Sequence, residues 1–69
     1  MLKKRSVTIA GHRTSIALEP EFWAILEREA IAANISFAAL VAQIDRDRGA
    51  SPLASVLRLH ALAAIKREV

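Results

Sequence analysis

Hydrophobic and polar residues alternate along an early part of the chain, between residues 13 and 18. One side of this alternation carries Thr14, Ile16 and Leu18, and the other side carries Arg13, Ser15 and Ala17. Because successive side chains of a strand point to opposite faces, a period of two predicts a half-buried strand over residues 13–18. The side with Arg13 is its polar face.

Residues 1–12, which precede this strand, have two interpretations. Residues 5–10 alternate as well, and the dipeptide Gly-His at 11–12 suits the type II′ turn of a hairpin. In that hairpin Val7 faces Ile16, and the segment is an extra strand. In the other interpretation residues 1–12 are a mobile basic arm, and the pattern alone does not separate the two.

After residue 18 the apolar positions recur every three or four residues, which predicts helices. Pro20 suits the first turn of a helix, Ser36 is a good N-cap, and Gly49 ends a helix. We expect three helices, at residues 20–33, 37–48 and 52–67. The third is apolar over most of its circumference, so we expect it to pack on two sides, the second side being another copy of the chain.

The composition favours self-association. The chain has 69 residues, of which 54% are hydrophobic, but alanine supplies 14 of these positions and only 4% of the residues are aromatic. A small core of this kind is marginal alone, and no cysteine provides a disulfide or a thiolate metal ligand. We therefore predict one domain, residues 1–69, that forms a homodimer or a higher oligomer and uses no metal and no cofactor.

Positive charge is concentrated at the beginning of the chain. Of the formal net charge of +3, residues 1–13 contribute +4 and the remaining residues −1, the four cations being Lys3, Lys4, Arg5 and Arg13. This favours a partner with a dense negative surface, nucleic acid or an anionic membrane, although a solvated terminus has the same composition. The longest uncharged stretch is too short and too polar for a membrane span, and we expect a cytoplasmic protein.

Few residues suit catalysis. The two histidines, His12 and His60, lie 48 positions apart, and no serine lies in a Gly-x-Ser-x-Gly elbow. His60 lies among leucines and alanines, so we interpret it as a partly buried residue and not as a ligand. The sequence therefore predicts a protein that is not an enzyme.

Three segments together carry a resemblance. They are the opening KRSVTIAGHRTS at residues 4–15, the junction LEPEFW at residues 18–23, and Asn-Ile-Ser at residues 34–36 before the second helix. With their order of strand, helix, short turn and helix, they resemble the ribbon-helix-helix family of the Arc and MetJ repressors, in particular its short, stand-alone bacterial members. The resemblance covers nearly the whole chain and implies a mainly α fold with a short β ribbon, here with an additional C-terminal helix. It also implies an intertwined homodimer whose two strands pair antiparallel across the twofold axis and enter the major groove of DNA.

The resemblance also implies base-reading residues. The family's reading positions fall on Arg13, Ser15 and Ala17, which form the polar face of the predicted strand. Arginine can donate two hydrogen bonds to guanine, and serine can donate or accept. Ala17 departs from the longer polar side chain expected there, because it can only touch a thymine methyl group.

Phosphate contacts are expected at two further places. The family's phosphate clamp at the start of the second helix falls on residues 36–38, whose backbone N–H groups and helix dipole suit an anion; these residues are Ser36, Phe37 and Ala38. If the amino terminus is a free arm, its cations can follow the phosphates or a minor groove; these cations are Lys3, Lys4 and Arg5.

These expectations lead to two candidate functions. The first is a homodimeric protein that binds double-stranded DNA as a transcriptional regulator or an antitoxin-like autorepressor, with the C-terminal helix as the candidate site for a toxin. The second is a small interaction or scaffold module that uses the same dimer without sequence-specific DNA binding. A major groove admits a two-stranded ribbon, so two hairpins joined across a twofold axis into four strands cannot read DNA together. If residues 5–10 pair beside residues 13–18, we expect the wider sheet to be an oligomerisation or protein-binding surface instead, and the resemblance then implies the fold without the function.

Overall fold

The computed structural model describes residues 1–68, and Val69, the end of the predicted domain 1–69, lies outside the described residues. Two strands precede three helices: β1 (Lys3–Ile9), β2 (His12–Leu18), α1 (Pro20–Ala32), α2 (Phe37–Arg46) and α3 (Leu53–Glu68). A short β ribbon followed by helices, with an additional helix at the end, is the fold class that the sequence predicts.

β1 and β2 pair antiparallel within one chain, so residues 3–9 form a strand and not a mobile arm. Ala10 and Gly11 make up the two-residue turn, with φ values of +51° and +81°. Two positive φ values are the requirement of a type I′ turn, whose twist matches that of the strands. The predicted type II′ turn, with Gly11 and His12 at its centre, is therefore wrong.

The strand register differs from the predicted one by two residues. Val7 faces Thr14 instead of Ile16, and His12 belongs to β2, where it faces Ile9. A shift of two residues leaves every side chain on its original face, so the hydrophobic pattern satisfies both registers equally. The turn therefore decides the register.

The inner face of the hairpin is buried, and its core residues are Val7, Ile9, Ile16 and Leu18. β1 packs against α2, β2 packs against α3, and α1 packs against both other helices. Trp23 of α1 is 1% exposed, and its indole N–H donates to the carbonyl oxygen of Lys3 over 2.8 Å. This side chain fills the core and holds β1 at the same time.

A tight turn joins α1 to α2. Asn34 adopts a φ of +58°, and the N–H of Ile35 donates to the carbonyl oxygen of Ala30 over 3.0 Å, which closes the end of α1 in the usual left-handed way. The hydroxyl oxygen of Ser36 accepts from the N–H of Ala39 over 3.0 Å and caps α2. Residues within the turn therefore determine both the end of α1 and the start of α2.

α2 ends at Arg46, two residues before the end that the sequence predicts. Arg48 lies in the loop that follows, where its Nε donates to Oδ1 of Asp45 over 2.6 Å and its Nη1 donates to the carbonyl oxygen of Ser51 over 2.7 Å. Gly49 follows with a φ of +61°. The arginine thus bridges the end of α2 and the loop that leads to α3.

α3 is buried along one side only. Leu57 and Ala61 are fully buried against the hairpin and the other helices, whereas Leu59 is 66% exposed and Leu62 is 44% exposed. The apolar residues of α3 extend beyond its buried side, so some of them form an uncovered apolar surface, although the core is formed by residues of one chain.

Candidate nucleic-acid interface

The outer side of the hairpin carries a polar surface that we call the ribbon face, made up of Lys4, Ser6, Thr8, Arg13, Ser15 and Ala17. The register places these residues in three facing pairs: Lys4 with Ala17, Ser6 with Ser15, and Thr8 with Arg13. Five of the six are exposed and Ala17 is half-buried. Two cations, three hydroxyls and one methyl group therefore lie together on one surface.

These side chains offer the chemistry of base recognition. The guanidinium of Arg13 can donate to O6 and N7 of guanine, and the hydroxyls of Ser6, Thr8 and Ser15 can donate or accept. The methyl group of Ala17 can touch a thymine methyl. The surface as a whole is positive, which favours approach to a phosphate backbone.

The dimensions of the hairpin suit a major groove. Each strand has seven residues, and at about 3.4 Å per residue the ribbon is roughly 24 Å long. Two strands lie about 4.8 Å apart, whereas the major groove is about 12 Å wide and admits a two-stranded ribbon.

Arg5 lies on the opposite side of the hairpin from the ribbon face. Its Nη1 donates to Oε2 of Glu27 over 3.0 Å, and its Cζ lies 5.0 Å from the ring centroid of Trp23 and 5.9 Å from that of Phe37. Its charge is thus paired with an acid and stacked on aromatic rings within the chain. Of the three cations predicted for phosphates, only Lys4 belongs to the ribbon face, because Lys3 has the same strand parity as Arg5.

The predicted phosphate clamp lies at the start of α2, beside β1. Ser36 and Ala38 are exposed, and the ring of Phe37 packs 5.8 Å from that of Trp23. The hydroxyl oxygen of Ser36 already accepts from the N–H of Ala39. The N–H groups of Phe37 and Ala38 lie in the first turn of α2, where no carbonyl oxygen of a preceding helical turn accepts from them. The Arg5–Phe37 contact holds this helix start against β1.

Ionic contacts join α1 to α3. Nε of Arg58 donates to Oε1 of Glu19 over 2.9 Å, and this bond, with a bond from the backbone, lowers the pKa of Glu19 from its ordinary value of 4.5. Glu29 accepts from Nη2 of Arg67 over 2.7 Å and also contacts Nε2 of His60. His60 is thus a half-buried partner of an acid, and no group of three or more His, Asp or Glu residues within residues 1–68 could hold a metal ion.

Sequence reasoning missed Ser6 and Thr8 as site residues. Their positions follow from the same alternation that placed Val7 and Ile9 on the apolar side, so the signal was present in residues 5–10. In the alternative interpretation, a mobile arm, these two side chains lie on no defined surface. Because β1 pairs with β2, both side chains lie on the ribbon face.

The fold and its outer surface define a small domain that presents a polar two-stranded ribbon on a helical base. A family model described as the ribbon-helix-helix domain matches residues 2–65 of the 69-residue chain. The chain therefore belongs to the ribbon-helix-helix domain family, whose members are generally DNA-binding transcription regulators or antitoxins and typically dimerise. No curated protein and no solved structure matches it. Among the described residues, no helix is both long and apolar enough to cross a membrane.

Proposed function

We propose that this protein is a bacterial, cytoplasmic, homodimeric repressor that binds double-stranded DNA, acting as a transcriptional regulator or an antitoxin-like autorepressor. The observation that supports this proposal best is the ribbon face, a groove-sized surface that combines two cations with three hydroxyls. Membership of a family that generally binds DNA supports it independently.

In this proposal the base edges are contacted by Arg13, Ser15 and Ala17 of β2. Lys4 lies at the end of the ribbon face and is suited to a flanking phosphate, and Lys3 is exposed next to it. Arg5 is left out of the DNA contacts, because binding a phosphate would require it to leave Glu27 and two aromatic rings.

The start of α2 supplies the second phosphate contact in this proposal. Backbone N–H groups at the start of a helix and the positive end of its dipole attract an anion, and residues 36–38 occupy that position. Ser36, Phe37 and Ala38 would fix the ribbon's orientation on the duplex without reading its sequence.

Selection of bound fragments from a pool of random duplexes tests the proposal. We expect a recurring motif to emerge, and we expect the two halves of a palindrome if the protein binds as a symmetric dimer. Enrichment of no motif, together with equal affinity for all duplexes at moderate salt, would contradict a sequence-specific regulator.

An uncovered surface on α3 favours a second candidate function, a protein-interaction or scaffold module. Leu59, Leu62 and Ile65 are exposed on this helix, and a toxin or another protein would have apolar contacts there. Capture with and without nuclease separates the two functions. A partner retained after nuclease treatment and at high salt favours protein binding, whereas a partner lost under those conditions was held by DNA.

A further inference from the structure

We infer that β1 occupies the place of a β2 strand from a second copy of the chain. The hairpin is then a closed form, and a dimer forms when β2 of each copy replaces β1 of the other, which we call the exchanged dimer. This inference rests on the proposed function, in which two chains bind DNA together, and adds a step that precedes binding. The surface concerned is the edge of β2 that β1 covers, and the partner that fits it is β2 of another copy.

The two strands of the hairpin resemble each other in sequence. A shift of nine residues places β1, with the sequence KKRSVTI, on β2, with the sequence HRTSIAL. One cation, one serine and two apolar residues then match, and these pairs are Lys4 with Arg13, Ser6 with Ser15, Val7 with Ile16, and Ile9 with Leu18. Both strands therefore carry cationic, hydroxyl and apolar side chains in the same order.

The register of the hairpin gives this likeness a structural meaning. Ser6 faces Ser15, so a second β2 in the place of β1 would bring its own Ser15 opposite the first. The two β2 strands would then run antiparallel about a twofold axis at this pair, as the isologous interface of a symmetric dimer requires. Its polar side would carry Arg13, Ser15 and Ala17 of both chains. β1 thus has the direction, the faces and the register that a second β2 would have.

The width of the major groove does not allow β1 and a second copy to pair with β2 together when DNA is bound. If β2 keeps β1 and its free edge pairs with β2 of another copy, the sheet has four strands, with its outer backbones about 14 Å apart. A major groove is about 12 Å wide and admits a two-stranded ribbon. A groove-reading ribbon with one β2 from each chain therefore requires β1 to leave.

A second copy replaces most of what β1 provides. Val7 and Ile9 are buried on the strand that packs against α2, and Ile16 and Leu18 of the second copy would take their places. The indole N–H of Trp23 donates to a backbone carbonyl of β1, and any strand in this position has such a carbonyl. Exchange of equivalent elements between copies is a low-cost route to a dimer.

Arg5 makes the contacts that a second copy lacks. Its Nη1 donates to Oε2 of Glu27 over 3.0 Å, and its Cζ lies 5.0 Å from the ring centroid of Trp23. The ring centroid of Phe37 is 5.9 Å from the same atom. The matched residue of β2 is Thr14, which has no charge to pair with an acid or to stack on a ring. Arg5 therefore favours the closed hairpin over the exchanged dimer.

A disulfide across the hairpin tests the exchange. Ser6→Cys combined with Ser15→Cys places two thiols at facing positions of a chain that has no cysteine. Opposite Cβ atoms of an antiparallel pair are close enough for a disulfide. Chains with an intramolecular bond are isolated by their mass without reductant. Their sedimentation and their binding to a duplex selected by the wild type are then compared with those of the same chains after reduction.

We expect the oxidised chain to sediment as a monomer at concentrations where the reduced chain is a dimer, and to lose its selective binding of the duplex. Reduction should restore both. An oxidised chain that dimerises and binds like the reduced chain would overturn the inference while the proposed function stands. If the wild type neither forms a dimer nor selects a motif, the proposed function itself fails.

A second pair of variants tests Arg5 without altering the ribbon face. Arg5→Thr gives β1 the residue of β2 at the matched position, and the control Lys3→Thr removes the same charge from an exposed position of β1. Sedimentation without DNA, on variants that melting curves show to be folded, gives the dimer dissociation constant.

Arg5→Thr should lower the dimer dissociation constant at least about fivefold, because the closed hairpin loses an ion pair and a cation–aromatic contact that the exchanged dimer does not contain. Lys3→Thr should change this constant by no more than about twofold, as at other surface positions. If Arg5→Thr leaves the constant unchanged or raises it, β1 does not compete with a second copy and the inference is wrong.

Discussion

Arg5 and Arg13 have the same side chain on the same hairpin, but their surroundings differ. Arg5 contacts Glu27 and two aromatic rings, whereas Arg13 is exposed on the ribbon face. The cause is strand parity, because Arg5 shares the inner side with Val7 and Ile9. One arginine therefore stabilises the fold while the other is available to a ligand.

Replacing each arginine with alanine should separate these roles. Arg13→Ala should change the free energy of unfolding by no more than about 0.5 kcal/mol, as at other surface positions. On DNA it should cost about 1–3 kcal/mol at one base pair if a bidentate guanine contact is lost. The measurement is a titration on a selected duplex and a scrambled one at two salt concentrations.

Arg5→Ala serves as the control. Loss of its exposed ion pair and of its contacts with the aromatic rings should lower the free energy of unfolding by about 1–2 kcal/mol and leave base preference unchanged. Unfolding of Arg13→Ala, or equal DNA affinity of Arg13→Ala and the wild type on both duplexes, would contradict these assignments.

Ala10 adopts a conformation that suits another residue better. Its φ of +51° costs an L-residue roughly 1–2 kcal/mol, and asparagine before glycine is the preferred sequence of a type I′ turn. Ala10→Asn should therefore raise the melting temperature, as measured by circular dichroism. Ala50→Asn, at an exposed loop position that does not have a positive φ, should leave it nearly unchanged. A lower melting temperature for Ala10→Asn would contradict the turn type.

At the scale of elements, periodicity predicted one strand and three helices and left residues 1–12 open between an arm and a second strand, and it could not fix how two strands would pair. Alternation determines which side chains of β1 and β2 lie on each face. It does not determine the register, because registers two residues apart bury the same side chains. The sequence also offers two overlapping dipeptides for the turn, Ala-Gly and Gly-His. The same limit applies to Arg5. The charge run of residues 3–5 suggested a solvated arm, although the parity of Arg5 with Val7 already placed it on the buried side.

Helix ends were predictable where a single local contact decides them. Ser36 caps α2 as its residue type suggests, because the capping oxygen and its N–H partner lie three residues apart. The end of α2 at Arg46 depends instead on Arg48, which contacts both Asp45 and Ser51. The spacing of apolar residues in a helix gives no information about a loop residue that bridges two elements.

The contact between Glu19 and Arg58 makes the α1–α3 pairing sensitive to acid. The pKa of Glu19 is lowered in the folded state, mainly by the Arg58 hydrogen bond, so the ionised carboxylate favours folding. This contribution is present above the ordinary pKa of 4.5 and disappears as the pH falls through the lower folded-state value. Urea unfolding at neutral pH should therefore show Glu19→Gln to be less stable than the wild type.

The difference between Glu19→Gln and the wild type should vanish in acid. In the background of Arg58→Met it should already be small at neutral pH, because the hydrogen-bond donor is gone. A difference that persists unchanged at low pH would show that another contact is responsible.

At the scale of the molecule, the chain closes a core and still leaves apolar side chains in solvent. Trp23, Leu26 and Leu57 are at most 1% exposed, whereas the larger exposed hydrophobic residues are Met1, Leu2, Ile31, Leu59, Leu62 and Ile65. A folded single chain and a surface for association are thus both present.

Association should make stability depend on concentration. A dimer that forms only in the folded state stabilises that state by mass action, so the melting temperature should rise with protein concentration. Melting curves over a wide concentration range, combined with the sedimentation mass, measure this. A monomer mass together with a constant melting temperature would contradict the homodimer.

The packing of β2 on α3 has a consequence for biosynthesis. The hairpin leaves the ribosome first, but α3, which covers β2, is translated well after both strands and after α1 and α2. An isolated two-stranded hairpin is at best marginally stable in water, so the ribbon face should become ordered only after residues 53–68 have been translated. Chains terminated before α3 should expose the apolar strand faces and be removed by proteolysis, so the cell accumulates only chains able to present a complete ribbon.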